Sequence, residues 1–434
     1  MFERSTSSEI PPVPLPAKLG EPSVFEHVVY IIKENRTYDQ VLGDLTQGNG
    51  DPNLCIFPRE VTPNHHALAE EFVLLDNFYC NGVLSADGHS WATEGYVTDH
   101  LEKAFGGFTR SYTFGDDALT YASSGFIWDH ILAAGYSFRN YGEMDYAEPP
   151  LGMEFIDVYD NFVSGETTPF EQKIGITRLA RYSARDFPGW NMDIPDVLRA
   201  SAFLREFEEF ERTGTFPNFV IVYLPQDHTS GTSEGSPTPA AHLADNDLAL
   251  GRIVEGISKS SYWPKTVVFA IEDDPQDGFD HVDGHRSLGY VISPYTKRGA
   301  VVSKFYNQTS VLHTISRIFG LPPMNQIDAA SPLMFNCFRN EPDLTPYTAR
   351  PNTVPLNQLN PPKAALRDDA LRWARESERQ NLAEVDAADE DTLNRILWHA
   401  VKGADAPYPA HLAGGHGTGL SELGLTPSDL VEVD

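Results

Sequence analysis

Three largely apolar runs punctuate the chain: His27 to Ile32 (HVVYII), Phe219 to Leu224 (FVIVYL) and Thr266 to Ile271 (TVVFAI). None alternates between apolar and polar, so each reads as a strand covered on both faces, as in a parallel sheet. Tyr136 to Tyr141 reads as another strand, and Tyr290 to Ser293 as one more, followed by a hairpin-like return at Ala300 to Val302. Ala67 to Phe78 reads as a short helix running into a strand. Other segments carry helical spacing. Tyr121 to Ala134 has apolar residues at 126, 127, 131 and 132 and stops at Gly135. Asp196 to Arg212 turns Leu198, Phe203, Leu204 and Phe207 inward. Pro239 stands at a favoured first helical position, and the helix it opens carries Leu243, Leu250, Ile253, Val254 and Ile257 on one face. Gln308 to Phe319 is a helix closed by Gly320, and Lys363 to Val401 is charged and strongly helical. Strands alternating with helices predict an α/β fold around a mostly parallel sheet.

The 434 residues are 41% hydrophobic, enough for one large core. The polar, Pro-rich residues 1–22 predict an extended linker, to which a further module could be fused. Residues 23–401 predict a single catalytic domain. Residues 142–195, rich in Gly, Pro and aromatics without a clear period, predict an insertion that shapes substrate access. Residues 402–434 predict a loose tail. A formal net charge of −30 argues against nucleic acid or an anionic membrane surface as a partner, since phosphate backbones are bound through Lys and Arg. Three cysteines make no disulfide framework, and no apolar run reaches membrane-spanning length.

The chemistry gathers where the strands stop. After Ile32 comes Lys33-Glu34-Asn35-Arg36-Thr37-Tyr38-Asp39. After Leu224 comes Pro225-Gln226-Asp227-His228. After Ile271 come Glu272, Asp273 and Asp274, then Asp277, Asp280, His281, Asp283 and His285. Each group alone is equally a helix cap or a solvated acidic loop. In a parallel sheet, however, all carboxyl ends lie on one edge, where such folds keep their sites. Carboxylates so dense repel one another unless a cation sits among them. Glu34, Asn35, Asp273 and Asp274 form an all-oxygen set that suits calcium, magnesium or manganese, with zinc a less fitting choice. His228, His281 and His285 could donate to an anion, transfer protons or, with Asp227, hold a second ion. Small residues surround Ser85 at the start of a helical pattern. That is the place of an ordinary N-cap, and equally a positive field suited to a phosphate oxygen. A cation beside Ser85 would make its hydroxyl a usable nucleophile for phosphoryl chemistry.

Several segments resemble one family. IIKENRTYDQVLG is similar to the E-N-R-[ST]-[FY]-D segment of the bacterial phosphoesterases that include phospholipase C and related acid phosphatases, within the alkaline phosphatase superfamily. FVLLDNFYCNGVLSADGHSW resembles the segment with the nucleophilic Ser or Thr, and AIEDDPQDGFDHVDGHR the segment with two acidic metal ligands. YLPQDHTSG, VISPYTKRG and LNRILWHAVKG add to the likeness. The resemblance implies an alkaline phosphatase-like fold, a three-layer α/β/α sandwich, with a divalent cation on Glu34, Asn35, Ser85, Asp273 and Asp274 and a phosphoserine at Ser85. It implies catalytic roles for His228, His281 and His89, and second-metal or phosphate contacts from Asp227, His228, His281 and His285. It implies a small-molecule or lipid phosphate ester as substrate, acted on in the periplasm or outside the cell. Gly88 stands where several relatives carry Asn, which implies altered leaving-group contacts.

Overall fold

The computed structural model describes residues 10–104, 117–276, 278–382 and 386–414. Five strands build the main sheet: β1 (His27–Lys33), β2 (Phe138–Tyr141), β3 (Phe219–Leu224), β4 (Thr266–Glu272) and β5 (Gly289–Ile292). Their order is β2-β3-β1-β4-β5; only β5 runs antiparallel to its neighbour. Six helices matter below: α1 (Ser85–Glu94), α2 (Asp196–Thr213), α3 (Pro239–Ser258), α4 (Gln308–Ile318), α5 (Asp368–Ser377) and α6 (Glu390–Lys402).

Successive residues of a strand face opposite sides, and β1 is apolar on both. Val29 and Ile31 join a core with Phe203 and Phe207 of α2 and Leu250 and Val254 of α3. Val28, Tyr30 and Ile32 join a second core with Ala86 of α1 and Leu312 and Ile315 of α4. Helices therefore cover both faces of a mostly parallel sheet, as the unbroken apolar runs predict, giving the three layers that the resemblance implies.

Several local expectations differ. Ala300–Val302 makes no hairpin with β5; it pairs in parallel with Val73–Leu75. Gly299, at φ +66°, turns the chain so that its amide reaches Phe72 O at 2.7 Å. The helix expected from Tyr121 begins only at Ile127. Leu198 and Leu204 are half-buried, and Val197 and Ala200 take the inward places on α2. The long helical stretch near the C-terminus is two helices, α5 and α6. Leu15, within the expected linker, is buried, and Ser23 Oγ donates to Pro14 O at 2.9 Å. Residues 1–9 and 415–434 lie outside the described residues. Residues 142–195 form an antiparallel pair, Asp145–Glu148 with Glu171–Ile174, and a helix, Phe155–Ser164.

Candidate metal and nucleophile site

The register of the sheet brings the strand ends together: Lys33 stands opposite Leu224 on one side and Glu272 on the other. Lys33 Nζ lies 2.7 Å from Asp227 Oδ2 and 2.5 Å from Glu272 Oε1, all three side chains buried. Burial alone would lower the ammonium's pKa; Asp227 and Glu272 raise it above its ordinary value. This triad anchors the residues above it. Asp227 Oδ1 accepts from Glu34 N at 3.0 Å, and Arg36 donates to the carbonyls of Asp227 (2.8 Å) and His228 (2.9 Å). Asn35 sits at φ +66°, a left-handed conformation that Asn tolerates better than most residues. Past Glu272 the strand is over. The chain turns with Asp273 N on Lys33 O at 2.9 Å, so Asp273 and Asp274 can face one spot.

Helix α1 supplies the fifth member. Asp87, not Ser85, caps that helix: its carboxylate accepts from Leu84 N at 3.0 Å and Val83 N at 3.4 Å. The Ser85 hydroxyl instead lies 3.1 Å from Glu34 Oε2 and 2.9 Å from Asp274 Oδ2. One hydroxyl proton can serve only one of those two oxygens. Gly88 is what lets α1 lie so near β4. A Cβ at that position would stand 2.6 Å from Asp273 O.

Glu34, Ser85, Asp273 and Asp274 are all fully buried, and Asn35 nearly so. The Asn35 amide oxygen lies against Glu34 Oε2 and 3.0 Å from Asp273 Oδ1. Turned over, the amide would donate to both. A cation among these carboxylates would favour the oxygen-inward orientation; without one, the nitrogen-inward orientation satisfies both contacts. Burial, with repulsion from Asp274 and Glu34, pushes the Asp273 carboxyl well above the usual range. Burial, with Glu34, Asp386 and Glu390, does the same to Asp274. Asp273 Oδ2, fully buried, has no hydrogen-bond partner among the described residues. Buried charge uncompensated in this way is costly, and this donor set fits a divalent cation.

The other sequence candidates take different places. Asp227 belongs to the ionic platform beneath the site. His228 lies beside it: its Nδ1 is 2.9 Å from Thr229 O, and Trp190 meets the ring edge-on. Burial lowers its pKa, which favours the neutral ring. His281 pairs with Asp39 at 2.6 Å, in a group that Arg286 joins through Asp39 (3.0 Å) and Asp280 (3.0 Å). The guanidinium compensates those carboxylates, which makes the group an ion-pair network. His285 pairs with Asp283 at 2.9 Å and is partly exposed. Asp277 lies outside the described residues. His89, one helical turn after Ser85, stands inside the site: Nε2 is 3.2 Å from Glu34 Oε1, and Nδ1 is 2.9 Å from Glu143 Oε1.

Three participants were not legible in the sequence. Tyr223 of β3 donates to Glu34 Oε1. Glu143 comes from the stretch without a period. Asp386, between α5 and α6, accepts from Ser85 N at 3.0 Å and Ala86 N at 2.7 Å. It is held over α1 by helices that are themselves tied down: Ser377 accepts from Thr232 N at 2.9 Å, and Asn394 donates to Gln276 O at 2.7 Å.

A family sequence model described as Phosphoesterase family matches residues 51–322, well over half of the chain. The match takes in Ser85, Asp273 and Asp274 and begins after Glu34 and Asn35. Among solved structures, an alkaline phosphatase superfamily protein from Vibrio parahaemolyticus is 19% identical, with 76% of each chain covered and a TM-score of 0.47. The PsFucS1 sulfatase from Pseudoalteromonas sp. is 13% identical, covering 73% of this chain and 74% of its own, at a TM-score of 0.45. The lipoteichoic acid synthase LtaP from Listeria monocytogenes is 12% identical, covering 92% and 97%, at a TM-score of 0.44. No curated protein sequence matches the chain.

Proposed function

The chain belongs to the phosphoesterase family, and from that premise we propose that it is a metal-dependent hydrolase of phosphoric esters working through a phosphoserine at Ser85. The observation that carries this reading is the Ser85 hydroxyl set between the buried carboxylates of Glu34 (Oε2) and Asp274 (Oδ2), with Asp273 beside them. A divalent cation held by Glu34, Asn35, Ser85, Asp273 and Asp274 would lower the hydroxyl's pKa and neutralise charge on the substrate. Ser85 Oγ then bonds to phosphorus as the bond to the leaving oxygen breaks, and the departing alkoxide takes up a proton. Water subsequently hydrolyses the phosphoserine, returning the hydroxyl and releasing phosphate or a phosphomonoester.

The substrate's anionic oxygen needs donors. The amides of Ser85 and Ala86 at the N-terminus of α1, which point out of the helix to the Asp386 carboxylate, are suited to it. In this reading the substrate takes the place of the Asp386 carboxylate on those amides. Asp386→Asn, which removes the competing charge, is therefore expected to tighten inhibition by inorganic phosphate several-fold. An unchanged or weaker inhibition constant would remove Asp386 from the anion site.

The reading as a whole is tested with p-nitrophenyl phosphate and bis-p-nitrophenyl phosphate, each with and without chelator. Hydrolysis that chelator abolishes and added metal restores is expected. Chelator-resistant turnover would remove the cation from the reaction, and no turnover of either ester with metal bound would favour a silent metal-binding domain. Preference between the two esters separates a monoesterase from a phospholipase C-type diesterase. No helix among the described residues is long and apolar enough to cross a membrane. On the family resemblance, the ester is met in the periplasm or outside the cell.

A further inference from the structure

Glu34 and Asp273 each show one oxygen to the Ser85 side of the site and the other to a different neighbour. On the Ser85 side are Glu34 Oε2, 3.1 Å from the hydroxyl, and Asp273 Oδ1, 3.0 Å from the Asn35 amide oxygen. Away from Ser85, Glu34 Oε1 is 3.2 Å from His89 Nε2, and Asp273 Oδ2 is 3.6 Å from the same nitrogen. These three atoms lie within 4.8 Å of one another, all on fully buried residues. Asp273 Oδ2 is the oxygen without a hydrogen-bond partner among the described residues. His89 Nδ1 is 2.9 Å from Glu143 Oε1, the carboxylate–histidine pairing that fixes a tautomer and presents the far nitrogen to a metal. Ser85 and His89 are four residues apart on α1 and so lie on one face of the helix.

Resting on the metal-dependent reading above, we propose that the site holds a second divalent cation on His89 Nε2, Glu34 Oε1 and Asp273 Oδ2, with Glu34 and Asp273 bridging it to the cation beside Ser85 and Glu143 orienting His89. Each bridging carboxylate gives one oxygen to each ion. A nitrogen donor in the set shifts preference away from calcium and magnesium, toward manganese, iron(II) or zinc.

The test is titration of the metal-free full chain with Mn(II), followed by calorimetry and by electron paramagnetic resonance. Two equivalents per chain are expected. The second should quench the isolated-ion signal, because carboxylate-bridged ions about 3.5–4 Å apart couple magnetically. Glu143→Gln should weaken one equivalent about 10–100-fold and leave the other unchanged. His89→Gln should abolish that equivalent. One equivalent in the wild type, two magnetically isolated ions, or Glu143→Gln with both affinities intact would each overturn the proposal. The wild-type stoichiometry decides even if a variant fails to fold. One equivalent together with metal-dependent ester hydrolysis sinks this proposal alone. Hydrolysis that needs no metal sinks the reading beneath it as well.

Discussion

Ser85→Ala is expected to lower kcat by at least about a thousandfold, in keeping with the loss of a nucleophile, while the protein stays folded. The hydroxyl stands at hydrogen-bonding distance from two buried carboxylates and has a proton for only one of them. Removing it takes away the attacking atom and opens no large void, since only one oxygen is lost. Its role in the helix does not complicate the result, because the carboxylates of Asp87 and Asp386, not the Ser85 hydroxyl, accept from the amides at the start of α1. Acid quenching of the wild type with a labelled phosphate ester should trap radioactivity on the protein, and the variant should trap none. Turnover and trapping both at the wild-type level in Ser85→Ala would remove Ser85 as the nucleophile. A variant that loses turnover together with its cooperative thermal transition would report a folding role instead.

The sequence carried the parts of this arrangement whose physics is local or periodic. Unbroken apolar runs give strands buried on both faces, and the convergence of Glu34, Asp227 and Asp273 follows from β1, β3 and β4 being parallel and in register. Asn35, Ser85 and Asp274 join the same centre by way of turns that short-range pattern reading located. Contacts set by packing at long range were not legible. Glu143 and Asp386 reach α1 from segments 54 and 300 residues away, and nothing in their sequence neighbourhoods distinguishes these buried carboxylates from surface ones. Asp227 illustrates a subtler limit. Its position after a strand marks it as part of the site, yet only the structure reveals that Lys33 claims one oxygen and the Glu34 amide the other. His281 likewise sits in the acidic motif but faces Asp39 beside Arg286. Adjacency in sequence did not reveal which carboxylates already have a cation.

That distinction between compensated and uncompensated carboxylates yields the second large effect. Asp273→Asn is expected to weaken metal binding at least about a hundredfold, some 2.7 kcal/mol, and at the same time to make the metal-free protein more stable. The two changes share one cause. Without a cation, Asp273 is buried beside Asp274 and Glu34, and burial with that repulsion holds its carboxyl well above the usual range. A carboxyl whose folded-state pKa exceeds its unfolded value binds more protons when folded, so its contribution to stability is lost as pH rises through the folded value. Asparagine has nothing to ionise. The metal-free variant should therefore melt above the metal-free wild type at neutral and higher pH, with the gap closing below the ordinary carboxylate range. Added metal should reverse the order, since a ligand that binds only the folded state stabilises in proportion to its affinity. Thermal melts at two pH values, with and without metal, distinguish this from a packing role, for which the variant would be less stable under all four conditions. Metal affinity unchanged by calorimetry would remove Asp273 from the ligand set. A metal-free variant that melts below wild type at high pH would mean that the carboxylate is compensated by some group other than a cation.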